Sequence, residues 1–366
     1  MNYVECTYAC YNDHMSTHIP WQSWSPIKPS IFRMPRWDYS PVALQNHQDQ
    51  ISHARERKKI TGWCSWYAFG KQIDHHLIIA QAIKIKELGL PIEYILIDDG
   101  WAQWGDWNEP DRTRFPKGIH GLVKELKQLG FSVGLWIAPF LCEPYSEFAR
   151  HHPEWIVKSS NNSFFPGLQS FPGEKFFPWK KYLLDCKNDV VIQHIYQRID
   201  EILNWGIDLL KLDFLYAPYF DPSILDDEIP YNTLQSLFLH IRSRHPNTYV
   251  IACGCPEVPA RYVVDAWRVS KDIVIPQLYN IPLLSTYIHD KRVKLLEEKI
   301  QAFEKHSEYF ALDPDVCVVS KRTGLSLNNI AKLIKIVKKN KDVCFLGDNL
   351  KSLTREEIKK AASIFE

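Results

Sequence analysis

Two periods of apolar and polar positions alternate along the chain, and from about residue 59 they predict a repeating strand–helix rhythm. The run 207–214, Ile-Asp-Leu-Leu-Lys-Leu-Asp-Phe, is apolar with few interruptions, as suits a strand buried on both faces of a parallel sheet. Helical spacing precedes it over 190–205 and stops at Gly206, a residue type that commonly ends helices. Strands of the same kind are predicted at 60–66, 92–98, 131–138, 248–253, 262–267 and 310–319, with a short one at 181–185 pairing with the barrel mouth. Helices are predicted at 74–88, 122–129, 145–152, 233–244 and 283–305, the first opening on an Asp cap and closing near Gly89. Roughly eight strands alternating with helices favour an α/β protein built on a (β/α)8 TIM barrel. A doubly wound sheet would normally carry a Gly-rich phosphate turn after an early strand, and this sequence has none.

Two segments lie outside the rhythm. Residues 1–55 are rich in Pro, Trp and His without a clean period and read as a short N-terminal arm packed on the barrel; the barrel is expected over 56–320. Residues 321–366, with helices at 327–338 and 355–365 and a short strand at 344–346, read as a small C-terminal extension. Within the barrel, 161–179 is a Phe-, Pro- and Gly-rich loop, and loops of that length usually have a function.

Charge narrows the partners. With 44 basic and 43 acidic side chains the net charge is +1, which argues against nucleic acid or an anionic membrane surface. No apolar run is long enough to span a bilayer, and the first residues have neither the basic head nor the apolar core of a secretory signal. Nine scattered cysteines without paired CxxC units suggest a reduced, cytoplasmic compartment and no structural metal. Aromatics make up 13% of the chain; those beyond core needs often serve as flat platforms for sugars, and a bulky core is the competing reading.

In a barrel, the side chains at the carboxyl ends of the strands converge on one pocket. Those ends here hold Trp63-Cys64-Ser65-Trp66-Tyr67, Asp98-Asp99-Gly100-Trp101, Trp136, Lys211 with Asp213, Cys253-Gly254-Cys255, and Asp265-Ala266-Trp267-Arg268 followed by Asp272. Lys211 and Asp213 are two apart and leave the same face of their strand, where they are costly unless they pair or do chemistry. A structural Lys–Asp pair closing a barrel layer is the competing reading. Asp106 is a weaker candidate that an Asx turn would also explain, and Asp265 reads as an inward structural partner. The set is dominated by carboxylates with Trp, Lys and Arg beside them, and it contains no His triad, nucleophile elbow or HExxH. That combination points to glycoside chemistry, which needs one carboxylate to attack and one carboxylic acid to assist the leaving oxygen, with no metal or cofactor.

The sequence also resembles a known family. GWCSWY at 62–67, IDDGW at 97–101, FPKG at 115–118, GLWIAPF at 134–140, HPEW at 152–155, LKLDF at 210–214, CGCP at 253–256 and VDAWRVSKD at 264–272 are similar, in order, to motifs of glycoside hydrolase family 36, the α-galactosidase (melibiase) family. The resemblance implies a retaining hydrolase that removes terminal α-galactosyl residues from oligosaccharides or glycosides by double displacement. Asp213 matches the nucleophile and Asp272 the acid/base; Asp98 and Asp99 match the carboxylates that grip galactose around O4 and O6. Lys211, Arg268 and Cys253 match further sugar contacts, Trp66, Tyr67 and Trp136 the pocket walls, and Trp24 a loop that reaches the site from an N-terminal β-sandwich. Lys211 is expected to keep Asp213 ionised, and burial to keep Asp272 protonated. Two departures stand out. Residues 1–55 leave no room for the family's sandwich, which is largely missing, and Cys255 stands where the family more often has another small residue. The resemblance leaves open a raffinose-synthase-like α-galactosyl transglycosylase, an α-N-acetylgalactosaminidase, a non-catalytic galactoside-binding barrel, and a homo-oligomer as the assembly.

Overall fold

The short apolar runs become strands. In the computed structural model, which describes residues 58–158, the backbone of 166–168, 181–340 and 342–366, they are β1 (Ile60–Cys64), β2 (Tyr94–Ile97), β3 (Ser132–Ile137), β4 (Leu209–Leu212), β5 (Tyr249–Ala252), β6 (Ala266–Arg268), β7 (Ala311–Asp313) and β8 (Val343–Leu346). They pair in parallel in the order β7-β6-β5-β4-β3-β2-β1-β8. A further parallel bridge joins Cys317, just past β7, to Leu346 of β8, so the sheet nearly closes into a (β/α)8 barrel. Every residue of β2, β4, β5 and β8 is buried, as strands covered by a barrel interior on one face and by helices on the other must be.

Around the strands run α1 (His75–Leu88), α2 (Gly118–Gln128), α3 (Asp189–Asn204), α4 (Glu228–Arg244), α5 (Pro282–Phe303), α6 (Leu327–Asn340) and α7 (Arg355–Ser363). On α3 the residues Val191, Ile195, Ile199 and Ile202 are buried at helical spacing, an apolar stripe turned to the sheet. Asp74 caps α1 by accepting from the Leu77 amide at 2.8 Å, and the chain leaves that helix through Gly89 in the left-handed conformation. Between β5 and β6 only the short turn Glu257–Ala260 is helical. No described helix is long and apolar enough to cross a membrane.

The strand count differs from the sequence reading in composition. Residues 181–183 do not enter the barrel; they pair antiparallel with Leu141–Cys142 and Pro166–Leu168 in a small separate sheet that follows β3. The eighth barrel strand is instead Val343–Leu346, which the sequence placed in a C-terminal extension. It runs in register along β1, from Ile60 opposite Val343 to Trp63 opposite Leu346. The barrel therefore reaches past residue 320. Phe345 of this strand crosses β1 so closely that a Cβ on Gly62 would lie 2.1 Å from its ring, which explains a glycine in the middle of a strand. The 310–319 run yields only three strand residues because the chain turns at Asp315, whose φ is +79°. Trp24, most of the 161–179 loop and the N-terminal arm lie outside the described residues.

Candidate active site

The site is assembled where β4 ends. The Asp213 amide donates to Ile137 O at 2.9 Å, and the next residue, Phe214, takes the left-handed φ of +54°. A non-glycine residue there is strained by about 1–2 kcal/mol, a cost found at sites where the chain must turn abruptly. The Asp213 carboxylate accepts from the Phe214 amide at 2.7 Å and from the Trp136 indole N–H at 3.1 Å. Lys211, one position back on the same face, does not bond Asp213. Its ammonium meets Asp98 Oδ2 at 2.8 Å, and both side chains are buried. Burial alone would lower the Lys211 pKa, but the Asp98 charge raises it well above the usual value, so the ammonium stays charged.

Asp98 and Asp99 follow β2. The Asp98 carboxylate also accepts from the Asp99 amide at 2.9 Å and from the Cys64 thiol at 3.4 Å. Asp99 accepts from the Trp104 indole at 2.8 Å and lies 3.2 Å from Lys71 Nζ. Gly100, at φ +118°, makes this turn possible, since a Cβ there would sit 2.6 Å from Lys71 O. Lys71 is also 3.5 Å from Glu143, which pairs with the buried Lys181. Both ammoniums lie over the Trp104 ring, at 5.1 and 4.4 Å from its centre. Trp104 packs in turn on Trp136 and Phe214, with ring centres 5.1 and 5.2 Å away, so a continuous aromatic wall connects Asp99 to Asp213.

The third part comes from β6 and β7. Arg268 is buried, with Nε 2.8 Å from Asp313, Nη1 2.8 Å from Asp315, and Nη1 3.7 Å from Asp272. Asp272 accepts from the Trp66 indole N–H at 3.2 Å. Its side chain is 37% exposed, so water reaches it. The protein packed around the carboxyl still removes enough of its solvation to push Asp272 above the usual range; Arg268 and Lys211 pull it down, and the charge of Asp213 pushes it up again. The Asp272 carboxyl thus lies within the field of the Asp213 charge. Burial also raises Asp213, opposed by Lys211, the Trp136 and Phe214 N–H donors and Arg268. Asp315 is pushed up to about 6 by burial, against the pull of Arg268. Tyr67 turns its hydroxyl onto Asp315 and is itself buried.

Of the residues singled out from sequence, eight fall into three bonded groups at the carboxyl ends of the strands: Lys211 with Asp98 and Asp99, Trp136 with Asp213, and Trp66 and Arg268 with Asp272. Cys253, buried at the end of β5, lies within the field of Arg268, Asp213 and Lys211. Asp106 is a cap, accepting from the Glu147 and Phe148 amides at 2.9 and 2.8 Å. Asp265 is bonded by Arg242 and the Val250 amide, away from these groups. Sequence reasoning missed Lys71, Trp104, Glu143, Lys181, Asp313 and Asp315. The last two carry a readable signal: Asp313-Pro314-Asp315 puts two carboxylates two apart at the end of an apolar run, the same pattern that drew attention to Lys211 and Asp213. Among the described residues, no three or more His, Cys, Asp or Glu side chains are grouped to hold a metal ion.

Residues 46–217 match the Melibiase family model. By sequence the chain is 29% identical over 157 residues to the α-galactosidase AgaA of Geobacillus stearothermophilus, covering 41% of this chain and 20% of the relative. It is 25% identical over 220 residues to an α-galactosidase of Escherichia coli, covering 58% of this chain and 26% of that one. These matches span a fifth to a quarter of the relatives' length. In structure, TtGalA, an α-galactosidase from Thermus thermophilus in complex with p-nitrophenyl α-D-galactopyranoside, superposes with a TM-score of 0.70 at 24% identity, over 86% of this chain and 62% of that one. With the motifs in order along the barrel, residues 46–217 are similar to the α-galactosidase (melibiase) family of glycoside hydrolases, and the barrel fold is shared with its solved structures.

Proposed function

We propose that this chain is a retaining α-galactosidase in which Asp213 is the nucleophile and Asp272 the acid/base. The supporting observation is that Asp213, at the end of β4, and Asp272, in the loop after β6, each accept from an indole N–H, with Asp272 within the field of the Asp213 charge. Asp213 Oδ attacks the anomeric carbon of an α-galactoside while the Asp272 carboxyl gives its proton to the leaving oxygen, forming a β-galactosyl ester and a free alcohol. Water then enters, Asp272 takes one of its protons, and the resulting hydroxide displaces Asp213, releasing α-galactose. The mutual repulsion of the two carboxyls favours one ionised and one protonated at the start, which is the state the first step uses. Asp98, held by Lys211, and Asp99, held by Trp104 and Lys71, are assigned to the sugar's O4 and O6 hydroxyls, with Arg268 and Cys253 nearby and Trp66, Trp136 and Tyr67 as walls or their support.

Stachyose stands in the second Thermus structure, which supports oligosaccharides as the substrate class. The seven cysteines of the described residues are all free and buried, in keeping with a cytoplasmic location. The test is a panel of nitrophenyl α- and β-glycosides on the purified chain. Release from the α-galactoside, and a β-galactosyl azide from Asp213→Ala with added azide, support the reading. Galactose binding without release would make the barrel a binding module, and transfer to an acceptor sugar in preference to water would make it a transglycosylase.

A further inference from the structure

The segment that carries Asp272 has no regular structure. β6 ends at Arg268, and the next helical turn, Pro276–Leu278, begins beyond Ile275. A carboxyl on such a segment keeps its place only if the main chain around it is tied. Three ties exist. The Asp272 carbonyl accepts from Arg292 Nη1 at 2.5 Å; the Ile273 amide donates to Asp315 Oδ2 and the Tyr67 hydroxyl, each at 2.8 Å; and the Ile275 amide donates to His289 Nε2 at 2.9 Å.

Two of the three ties come from α5. His289 and Arg292 are three residues apart and share the helix face whose neighbours Val293 and Leu296 are wholly buried. His289 is itself wholly buried, and its partners fix its tautomer. The Thr323 carbonyl, 2.7 Å from Nδ1, can only accept, so Nδ1 carries the proton and Nε2 is free to accept from the Ile275 amide. Burial lowers this ring's pKa to about 4, which keeps it in that neutral form. The Asp272 carboxyl itself is met by Trp66 and Arg268, and Arg292 reaches it through its charge alone, pulling its pKa down.

We infer that His289 and Arg292 are positioning residues for Asp272: by holding the main chain at Asp272 and at Ile275, they keep its carboxyl at the leaving oxygen without touching the sugar. The inference rests on the reading of Asp272 as the acid/base. A displacement of about 1 Å can cost on the order of 10²-fold in rate, and a positioned proton donor is itself worth about 10²–10⁴-fold. The loss falls on substrates whose leaving group needs the proton.

The experiment compares kcat/KM, which reports the first displacement, on methyl α-galactoside and on dinitrophenyl α-galactoside, whose leaving group departs without help. The variants are His289→Ala, His289→Gln, Arg292→Ala and Asp272→Ala. His289→Ala and Arg292→Ala are expected to lose about 10²-fold on the methyl glycoside and less than about threefold on the dinitrophenyl one. His289→Gln, which donates and accepts at the same two points, is expected to recover most of the loss. Equal losses on both substrates, or no loss in Arg292→Ala, overturn the inference. Should His289→Ala fail to fold, Arg292→Ala and His289→Gln still decide it. Asp272→Ala is the reference: a split larger than that of the α5 variants supports the account. A uniform loss there overturns the acid/base reading and the inference with it, whereas a split in Asp272→Ala but not in Arg292→Ala overturns the inference alone.

Discussion

The Trp136 indole, at the end of β3, places its N–H 3.1 Å from the carboxylate of Asp213, at the end of β4. Trp66 stands in the same relation to Asp272, at 3.2 Å, from the other side of the barrel. Each carboxyl of the proposed pair therefore has an aromatic donor from a different strand end, and Asp272 has the Arg268 guanidinium 3.7 Å away as well.

The Trp136 bond has a signed consequence. An N–H donor favours the ionised carboxylate, so removing it raises the Asp213 pKa. Because Asp213 must be ionised to attack, Trp136→Phe is expected to move the acid limb of the kcat/KM–pH profile upward by about one unit, since a hydrogen bond to a charged group is worth about 1.5–3 kcal/mol. An acid limb that stays put contradicts this assignment of the bond.

Among the described residues, Arg268 is the cation paired with both Asp313 and Asp315, and all three side chains are buried. Arg268→Met leaves two buried carboxyls without compensation and should destabilise the fold by about 3–5 kcal/mol. Adding Asp313→Asn and Asp315→Asn to that variant should restore much of the loss. Urea unfolding of the single and triple variants measures both; a single variant as stable as the parent would show that the cluster does not hold its charges.

Asp348 gives a prediction away from the site. It is buried, accepts from the Val319 and Ser320 amides at 2.8 and 2.9 Å, and burial pushes its carboxyl up to about 7. In the unfolded chain an Asp titrates near 3.9, so between about pH 4 and 7 the fold keeps a proton that the unfolded chain loses. Stability attributable to this group is therefore present at low pH and declines as pH rises. Relative to Asp348→Asn, which does not titrate, the parent should lose roughly 2–4 kcal/mol between pH 4.5 and 7.5, at about 1.4 kcal/mol per unit. Parallel unfolding curves at the two pH values give the difference, and a gap that does not change with pH counts against it.

Gly62→Ala should cost about 1–3 kcal/mol because the new methyl meets the Phe345 ring, and Phe345→Leu should relieve part of it. Thermal unfolding of the single and double variants tests the close crossing of β1 and β8. Additive effects would mean that the two residues do not meet.

The barrel was legible in the sequence because its strands are apolar runs ending in polar residues, and the array at their carboxyl ends followed from that geometry. Val343–Leu346 was not recognised as a barrel strand because four apolar residues after a helix carry no mark of their partner. The longer run at 310–319 reads as the closing strand, which leaves 343–346 to a C-terminal extension. Lys211 and Asp213 share one strand face in sequence, whereas the fold sets Lys211 against Asp98 at the end of β2. Lys71, Glu143 and Lys181 lie on connecting segments whose approach to Asp99 depends on the turn at Gly100 and on the small sheet beside β3, neither of which has a periodicity to read. The ties from His289 and Arg292 to the Asp272 segment run through main-chain atoms, and no side-chain pattern reveals them.

The most direct test of the account is to trap the intermediate. Asp272→Ala lacks the base for the second step, so with dinitrophenyl α-galactoside it should accumulate the galactosyl-enzyme. Intact mass spectrometry should then show one added hexosyl group, and peptide mapping should place it on Asp213. An adduct on another residue, or none at all while dinitrophenol is released, would contradict the proposed double displacement through Asp213.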